Sequence, residues 1–256
     1  MMSLAGRVAL VTGGGRGIGR AISLALAEDG ADVAVNYRRD EEAARQAVAD
    51  IQALGRRASA YAASIDSLDE DRAMVEAVLK DFGHIDILVN NAGIASRGQS
   101  VADTDPAEME RVVRTHAFGP HYLCKLVVPG MRERPRGDII FISSAATHSL
   151  AANGAPYNMG KAAMEALAQT LYKEERPHGI HVNVVAPGLV ETDMGVRLAK
   201  ATMGVKDIHE LDRRMPFGRV CQPGDVADVV RYLVSERAGY LTGQRIYVDG
   251  GGNIWS

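Results

Sequence analysis

A serine, a tyrosine and a lysine carry the sharpest chemical signal in this sequence. Tyr157 and Lys161 stand four apart in Tyr157-Asn158-Met159-Gly160-Lys161, so on a helix their side chains share one face. Ser144 lies thirteen positions before Tyr157, just beyond the apolar run Asp138–Ile142. A free phenol, with a pKa of about 10, is a weak acid at neutral pH. A neighbouring ammonium stabilises phenolate and is expected to draw the Tyr157 pKa down, towards the range where general acid–base catalysis is efficient. A serine hydroxyl can hold a carbonyl oxygen beside the phenol. The trio suits proton delivery to a ketone oxygen while hydride reaches the carbon, or the reverse. A lone tyrosine–lysine pair at this spacing is usually a solvent-facing helix pair, so the reading needs a hydride carrier.

The sequence offers a place for one. Thr12-Gly13-Gly14-Gly15-Arg16-Gly17-Ile18-Gly19 follows the first apolar run and opens a helix. Glycines let a backbone turn sharply and approach a pyrophosphate closely. The helix N-terminus then presents free N–H groups and a positive dipole end to the anion. Gly13, Gly15, Arg16, Gly17, Ile18 and Gly19 are the expected cofactor contacts. Where an NAD-binding fold carries an acid for the ribose 2′-OH, this chain has Tyr37, Arg38 and Arg39, with no acid until Asp40. A guanidinium fork matches a phosphate, so Arg38 and Arg16 favour NADP(H), with NAD(H) as the alternative. The plainer reading of Arg38 and Arg39 is a solvated turn.

These residues need elements to position them. Short β-branched runs at Arg7–Thr12, Ala31–Tyr37, Ile85–Val89, Asp138–Ile142, Ile180–Val185 and Gly243–Val248 read as strands, with a weaker one at Arg57–Ala62. Helices are expected at Ile18–Asp29, about Asp40 to Leu54, from a capping box at Ser67-Leu68-Asp69-Glu70, from Asp105-Pro106 towards Val128, and at Ala155–Glu175. Strands alternating with helices imply right-handed βαβ units. The expected fold is α/β: a single-domain Rossmann fold over residues 1–256, with a doubly wound parallel seven-stranded sheet and helices on both faces. Gly188–Arg219 is too long for an ordinary connection. It reads as a substrate-binding lid, or more plainly as an extra surface helix pair.

The bulk numbers agree with a globular oxidoreductase. The chain has 256 residues, 46% hydrophobic and 24% charged, and a net charge of −3. That charge gives no footprint for nucleic acid. No apolar run is long enough for a membrane helix, and no signal peptide is visible. Cys124 and Cys221 form no CxxC pair, so a reducing cytoplasm is the expected compartment. Cys124, inside a long expected helix, reads as buried core. The seven histidines form no HxxxH or HExxH set, so no metal site is expected.

In this order, and across the whole length, the motifs resemble the short-chain dehydrogenase/reductase family, and in overall look its 3-oxoacyl-[acyl-carrier-protein] reductases. They are the turn Thr12–Gly19, Asn90-Asn91-Ala92-Gly93, the Ser144/Tyr157/Lys161 set, Pro187-Gly188 with Thr192, and Tyr240-Leu241-Thr242-Gly243 leading to Val248-Asp249-Gly250-Gly251. The resemblance implies that Asn91, Ala92 and Gly93 line the nucleotide, and that Pro187, Gly188, Val190 and Thr192 lie towards the nicotinamide carboxamide. It also implies that Lys161 binds the nicotinamide ribose and that the protein is a homotetramer pairing the helices of His116 and Tyr157.

Three positions depart from the family pattern. Ser64-Ile65 stands where Asp-Val usually meets adenine, so Ser64 would take over that contact. His116 stands at the family's catalytic-site asparagine, whose main-chain carbonyl holds a water linked to the lysine. The His116 ring is expected to be neutral and structural, with a titrating catalytic histidine as the rival. Pro135 and His178 stand where arginines dock an acidic carrier, although Arg134 and Arg136 are adjacent. The substrate is thus a small carbonyl or alcohol compound, a 3-oxoacyl thioester among the candidates. From another class, a non-catalytic NADP(H)-binding redox sensor is the alternative. A sugar-nucleotide epimerase would need a substrate domain and a GxxGxxG turn, and neither is present.

Overall fold

A computed structural model describes residues 3–252, so the first two and last four residues of the expected 1–256 domain lie outside the described residues. Seven strands form one parallel sheet in the order β3-β2-β1-β4-β5-β6-β7. They are β1 Val8–Val11, β2 Asp32–Tyr37, β3 Ala58–Ala62, β4 Ile87–Asn90, β5 Gly137–Ile142, β6 Ile180–Pro187 and β7 Arg245–Val248. The main helices are α1 Gly17–Glu28, α2 Glu41–Ala53, α3 Leu68–Phe82, α4 Pro106–Val113, α5 Gly119–Met131, a one-turn α6 Ala146–Ser149, α7 Ala155–Glu175, α8 Asp193–Met203 and α9 Pro223–Leu233.

The central strands read as unbroken apolar runs because both sheet faces are covered. Alternate side chains leave opposite faces. Leu10, Leu88, Ile139 and Phe141 pack with Val78, Leu123, Val127, Met164 and Leu171 of α3, α5 and α7. Ala9, Val11, Ile87, Val89 and Ile140 pack with Ile22, Leu26, Ile51, Val226 and Val230 of α1, α2 and α9. At the amino ends of the strands, two buried carboxylates organise the bottom of the sheet. Asp86 accepts from the Val8 N–H at 2.8 Å and from Arg134 at 2.8 Å. Asp138 accepts from Arg7 at 2.7 Å and Arg136 at 2.9 Å.

Two local expectations change, and one long segment gains detail. The helix expected from Asp105 to Val128 starts as read, with Asp105 accepting from the Ala107 N–H and Pro106 in its first turn. It then widens into a π turn at Arg114–Phe118 before α5. Hydrophobic periodicity does not register one extra residue in a turn. The Ser67–Glu70 capping box is one-sided: Ser67 accepts from the Glu70 N–H, but the Glu70 carboxylate accepts from the Ser64 N–H at 2.7 Å. Gly188–Arg219 carries α8 and two 3₁₀ segments, Ile208–Arg214 and Pro216–Gly218. These enclose a small apolar cluster of Leu189, Ala199, Ile208, Leu211 and Val220. Cys124 is buried core as expected, its thiol pushed up to about 12 by burial. Among the described residues, no helix is long and apolar enough to cross a membrane.

Candidate functional site

Strand order reverses between β1 and β4, so the loops leaving their carboxyl ends diverge and open a crevice, the usual ligand position in such sheets. The glycine turn and the Asn90–Gly93 segment are fastened together across it. The Thr12 hydroxyl donates to the Val89 carbonyl at 3.1 Å and accepts from the Asn91 and Ala92 N–H groups at 2.9 and 3.0 Å. The Asn91 amide donates to the Thr12 carbonyl at 2.8 Å. Gly19 shows why this turn excludes side chains: a Cβ there would stand 2.1 Å from the Gly13 carbonyl oxygen and 2.5 Å from Asn91 Nδ2. Gly13, with φ +61°, adopts a left-handed conformation that favours glycine. Arg16 is the N-cap of α1 and makes no side-chain cap, so the first-turn N–H groups face the crevice uncovered.

The resulting cleft is lined by Gly13, Gly15, Arg16, Gly17, Ile18, Gly19, Arg38, Ser64, Ile65, Asn91, Ala92, Gly93, His116, Tyr157, Lys161 and Thr192, all expected from sequence. Arg16, Arg38 and Arg39 are exposed and make no ion pair among the described residues. This cradle fits a nicotinamide dinucleotide: N–H groups at a helix start, a glycine floor, and exposed guanidiniums at the end of β2. The Ser64 hydroxyl is engaged elsewhere, donating to Asp66 Oδ1 at 2.6 Å. Tyr37 lines the cleft beside Arg38, and so do Asp66, Asn36, Met194 and Arg197, which sequence reasoning did not single out. Asn36 carried a signal, as a polar residue inside an apolar strand; it accepts from the Gly13 N–H at 3.2 Å.

Not every expected residue faces the cleft. Pro187 ends β6, Val190 is buried in a bridge to Cys221, and Gly188 lines a second, neighbouring cavity with Leu189 and Met215. Ser144 lies just past β5 beside Tyr157, although the cleft wall there is formed by Ser143 and not by Ser144. Backbone bonds on either side fix it, from the Ser143 N–H to the Val185 carbonyl and from the Ala145 N–H to the Pro187 carbonyl, both 2.8 Å.

Tyr157 lies in the first turn of α7, with Lys161 one turn on. The Lys161 ammonium is 3% exposed, lies 5.8 Å from the Tyr157 ring centre, and donates to the Ile142 carbonyl at 2.7 Å. Burial pushes its pKa down to about 7, and Glu165 pushes back. The expectation that Lys161 draws the phenol down is corrected here. Burial raises the Tyr157 pKa, and the neighbouring Ser144 hydroxyl draws it part of the way back. The desolvation of a phenolate outweighs its stabilisation at this position.

His116 sits in the π turn, 1% exposed, its ring edge-on to Tyr157 with centres 5.2 Å apart. Its Nε2 lies 2.8 Å from the Ile94 carbonyl oxygen and 3.3 Å from the Ile94 nitrogen. The shorter contact favours a proton on Nε2, donating to the carbonyl. Nδ1 is then a buried acceptor with no partner among the described residues. Burial, then Lys161, pushes the ring pKa down to about 3. The α-helical partner of the His116 carbonyl would be the N–H of residue 120, and Pro120 has none. That proline was a readable sign of the π turn.

Comparisons with known proteins agree with this geometry. A family model described as Enoyl-(Acyl carrier protein) reductase matches residues 13–253. The 3-oxoacyl-[acyl-carrier-protein] reductase FabG of Staphylococcus aureus is 37% identical over 243 residues, 95% of this chain and 96% of its own. A short chain dehydrogenase from Burkholderia cenocepacia, solved in complex with NADP, superposes with a TM-score of 0.87 at 34% identity, covering 97% of this chain and 98% of its own. A 7α-hydroxysteroid dehydrogenase, solved with NADH and 7-oxo glycochenodeoxycholic acid, superposes with a TM-score of 0.88 at 33% identity, covering 98% and 95%. This chain is an oxidoreductase belonging to the short-chain dehydrogenase/reductase family.

Proposed function

We propose that this oxidoreductase interconverts a ketone and a secondary alcohol using NADP(H), with Tyr157 as proton donor and acceptor. The carrying observation is the convergence of Ser144, Tyr157 and Lys161 at the end of β5, beside a cleft whose other end exposes Arg16 and Arg38. A bound nicotinamide supplies or takes the hydride. Ser144 holds the carbonyl oxygen against the phenol. Tyr157, its pKa raised, is protonated at neutral pH and passes its proton to that oxygen. The Lys161 ammonium stabilises the phenolate left behind. Gly188–Arg219 shapes the substrate end of the cleft.

A 3-oxoacyl thioester is the first substrate to test, supported by the name of the Staphylococcus relative. Docking on an acidic carrier has less support. Arg134 and Arg136, beside the positions where carrier-docking arginines would stand, are tied to Asp86 and Asp138. Oxidation of NADPH or NADH by acetoacetyl thioesters and a panel of ketones tests the reading, and separates an enzyme from a redox sensor.

Tyr157→Phe is expected to lower turnover by roughly 10²–10⁴, as for loss of one general acid, with NADPH affinity almost unchanged. Near-normal turnover would overturn the mechanism. Arg38→Asp is expected to weaken NADPH and to leave NADH the same or better, read as kcat/KM for each cofactor. A wild-type preference for NADH would refute the assignment. A homotetramer pairing the helices of His116 and Tyr157 rests on the family resemblance alone. Light scattering giving the mass of one 27.4 kDa chain would contradict it.

His116 is read as structural. His116→Asn keeps the contact to Ile94, so kcat/KM should stay within roughly tenfold of wild type with the same pH profile, less than loss of a working acid. Stability supplies a second measure. The folded pKa of about 3 lies below the ordinary histidine value of 6.5, so the unfolded chain takes up a proton first on acidification. Stability is therefore lost as pH falls from about 6.5 towards 3. Urea unfolding across that window should show a shallower loss in His116→Asn. A kinetic limb near roughly pH 6–7 that vanishes in the variant would instead make His116 catalytic.

A further inference from the structure

Glu165 follows Lys161 by one turn on α7, so both side chains leave the same helix face. Its carboxylate, in a residue 8% exposed, is gripped by three separate segments. The Ser143 hydroxyl donates to Oε1 at 2.6 Å, and the Thr147 hydroxyl of α6 to the same oxygen at 2.8 Å. Arg245, which opens β7, donates from Nη1 to Oε2 at 2.6 Å. Ser143 is the residue joined to Ser144. One carboxylate thus ties the serine segment to the helix that carries Tyr157 and Lys161.

We propose that Glu165 is a positioning residue that sets Ser144 against α7 and holds Lys161 as an ammonium, with Arg245 as the counter-charge that limits its pull. The catalytic meaning of this role rests on the ketone/alcohol reading, whereas the charge coupling does not. A buried amine tends to shed its proton, because the charged form loses more hydration. The groups facing Lys161 are Tyr157 and Glu165 from α7, His116 from the π turn, and the Ile142 carbonyl from β5. Tyr157 is held protonated and His116 neutral, so Glu165 is the negative charge among them. On the far side, Arg245 lies over Tyr247 at 5.3 Å from its ring centre, and the His148 ring meets Tyr247 at 6.0 Å. Arg245 pairs directly with the carboxylate, while Lys161, one helical turn from Glu165 and bonded to the Ile142 carbonyl, feels its charge without an ion pair.

The test follows the Lys161 ammonium directly, by nuclear magnetic resonance of ¹⁵N-lysine-labelled protein, with Lys161→Met identifying its signal. In Glu165→Gln the Lys161 pKa should fall by roughly one pH unit or more, the size of one near charge. In Arg245→Gln, which frees the carboxylate from its partner, it should rise. The high-pH limb of kcat/KM for ketone reduction should move in the same directions, down and up. A purely structural role would lower the rate at every pH and leave the limb in place. An unmoved Lys161 titration in Glu165→Gln, or the same direction of movement in both variants, overturns the proposal. Should Glu165→Gln fail to fold, Arg245→Gln decides alone, since its side chain is 44% exposed; an unmoved or lowered Lys161 pKa overturns the proposal. Wild-type protein without ketone reduction, but with the two titrations moving oppositely, would defeat the reductase reading and leave the coupling standing.

Discussion

Lys161 puts a primary amine where water hardly reaches, and much of the site can be understood as accommodating it. A buried ammonium needs acceptors and a counter-charge. β5 supplies the Ile142 carbonyl, and α7 supplies Glu165 one turn away. The same burial weakens the amine's hold on its proton and raises the phenol of Tyr157. The two groups are pushed in opposite directions. Moving a proton from that phenol to that amine is uphill, so Tyr157 keeps its proton until a developing alkoxide takes it. This poise differs from the simple picture of an ammonium dragging a phenol down.

The cleft itself rests on a topological fact. Strands β1 and β4 are neighbours whose following loops run apart, so the sheet opens a crevice there. A threonine hydroxyl with one donor and two accepted bonds keeps the two loops from drifting. The glycine turn can then lie flat against Asn91, and α1 points its uncapped N-terminus at the space between. The far end of the cleft carries free guanidiniums, while buried carboxylates at the amino ends of the strands occupy Arg7, Arg134 and Arg136. Cationic charge is thereby left available at the nucleotide end and neutralised at the opposite end of the sheet.

Most of this was readable before any coordinates. Apolar, mostly β-branched runs marked the strands within a few residues, because strands covered on both faces cannot carry polar residues without a partner; the edge strand β3, Ala58-Ser59-Ala60-Tyr61-Ala62, carried the weakest signal. The spacing of Tyr157 and Lys161 gave their shared face, since helix geometry is local. Asn91 and the glycines of Thr12–Gly19 came from motif order. The π turn was missed although Pro120 marked it, because apolar periodicity averages over turns and hides one inserted residue. The Glu70 carboxylate was assigned to a capping box from spacing, yet the Ser64 N–H competed for it. Spacing counts only partners nearby in the same helix.

What the sequence by itself determined was local: which segments are strands and helices, which turn can approach a phosphate, and which residues share a helix face. Each depends on interactions within a few residues, where chain geometry leaves little choice. The tertiary structure decided how titratable groups behave. His116 is neutral because the fold buries it beside Lys161, and Tyr157 is raised because burial outweighs its neighbours. Glu165 matters because Ser143, Thr147 and Arg245 reach it from α6, β7 and the end of β5, segments up to eighty residues away in sequence. Desolvation and charge act through space, and distance in space is not encoded in any short window of sequence.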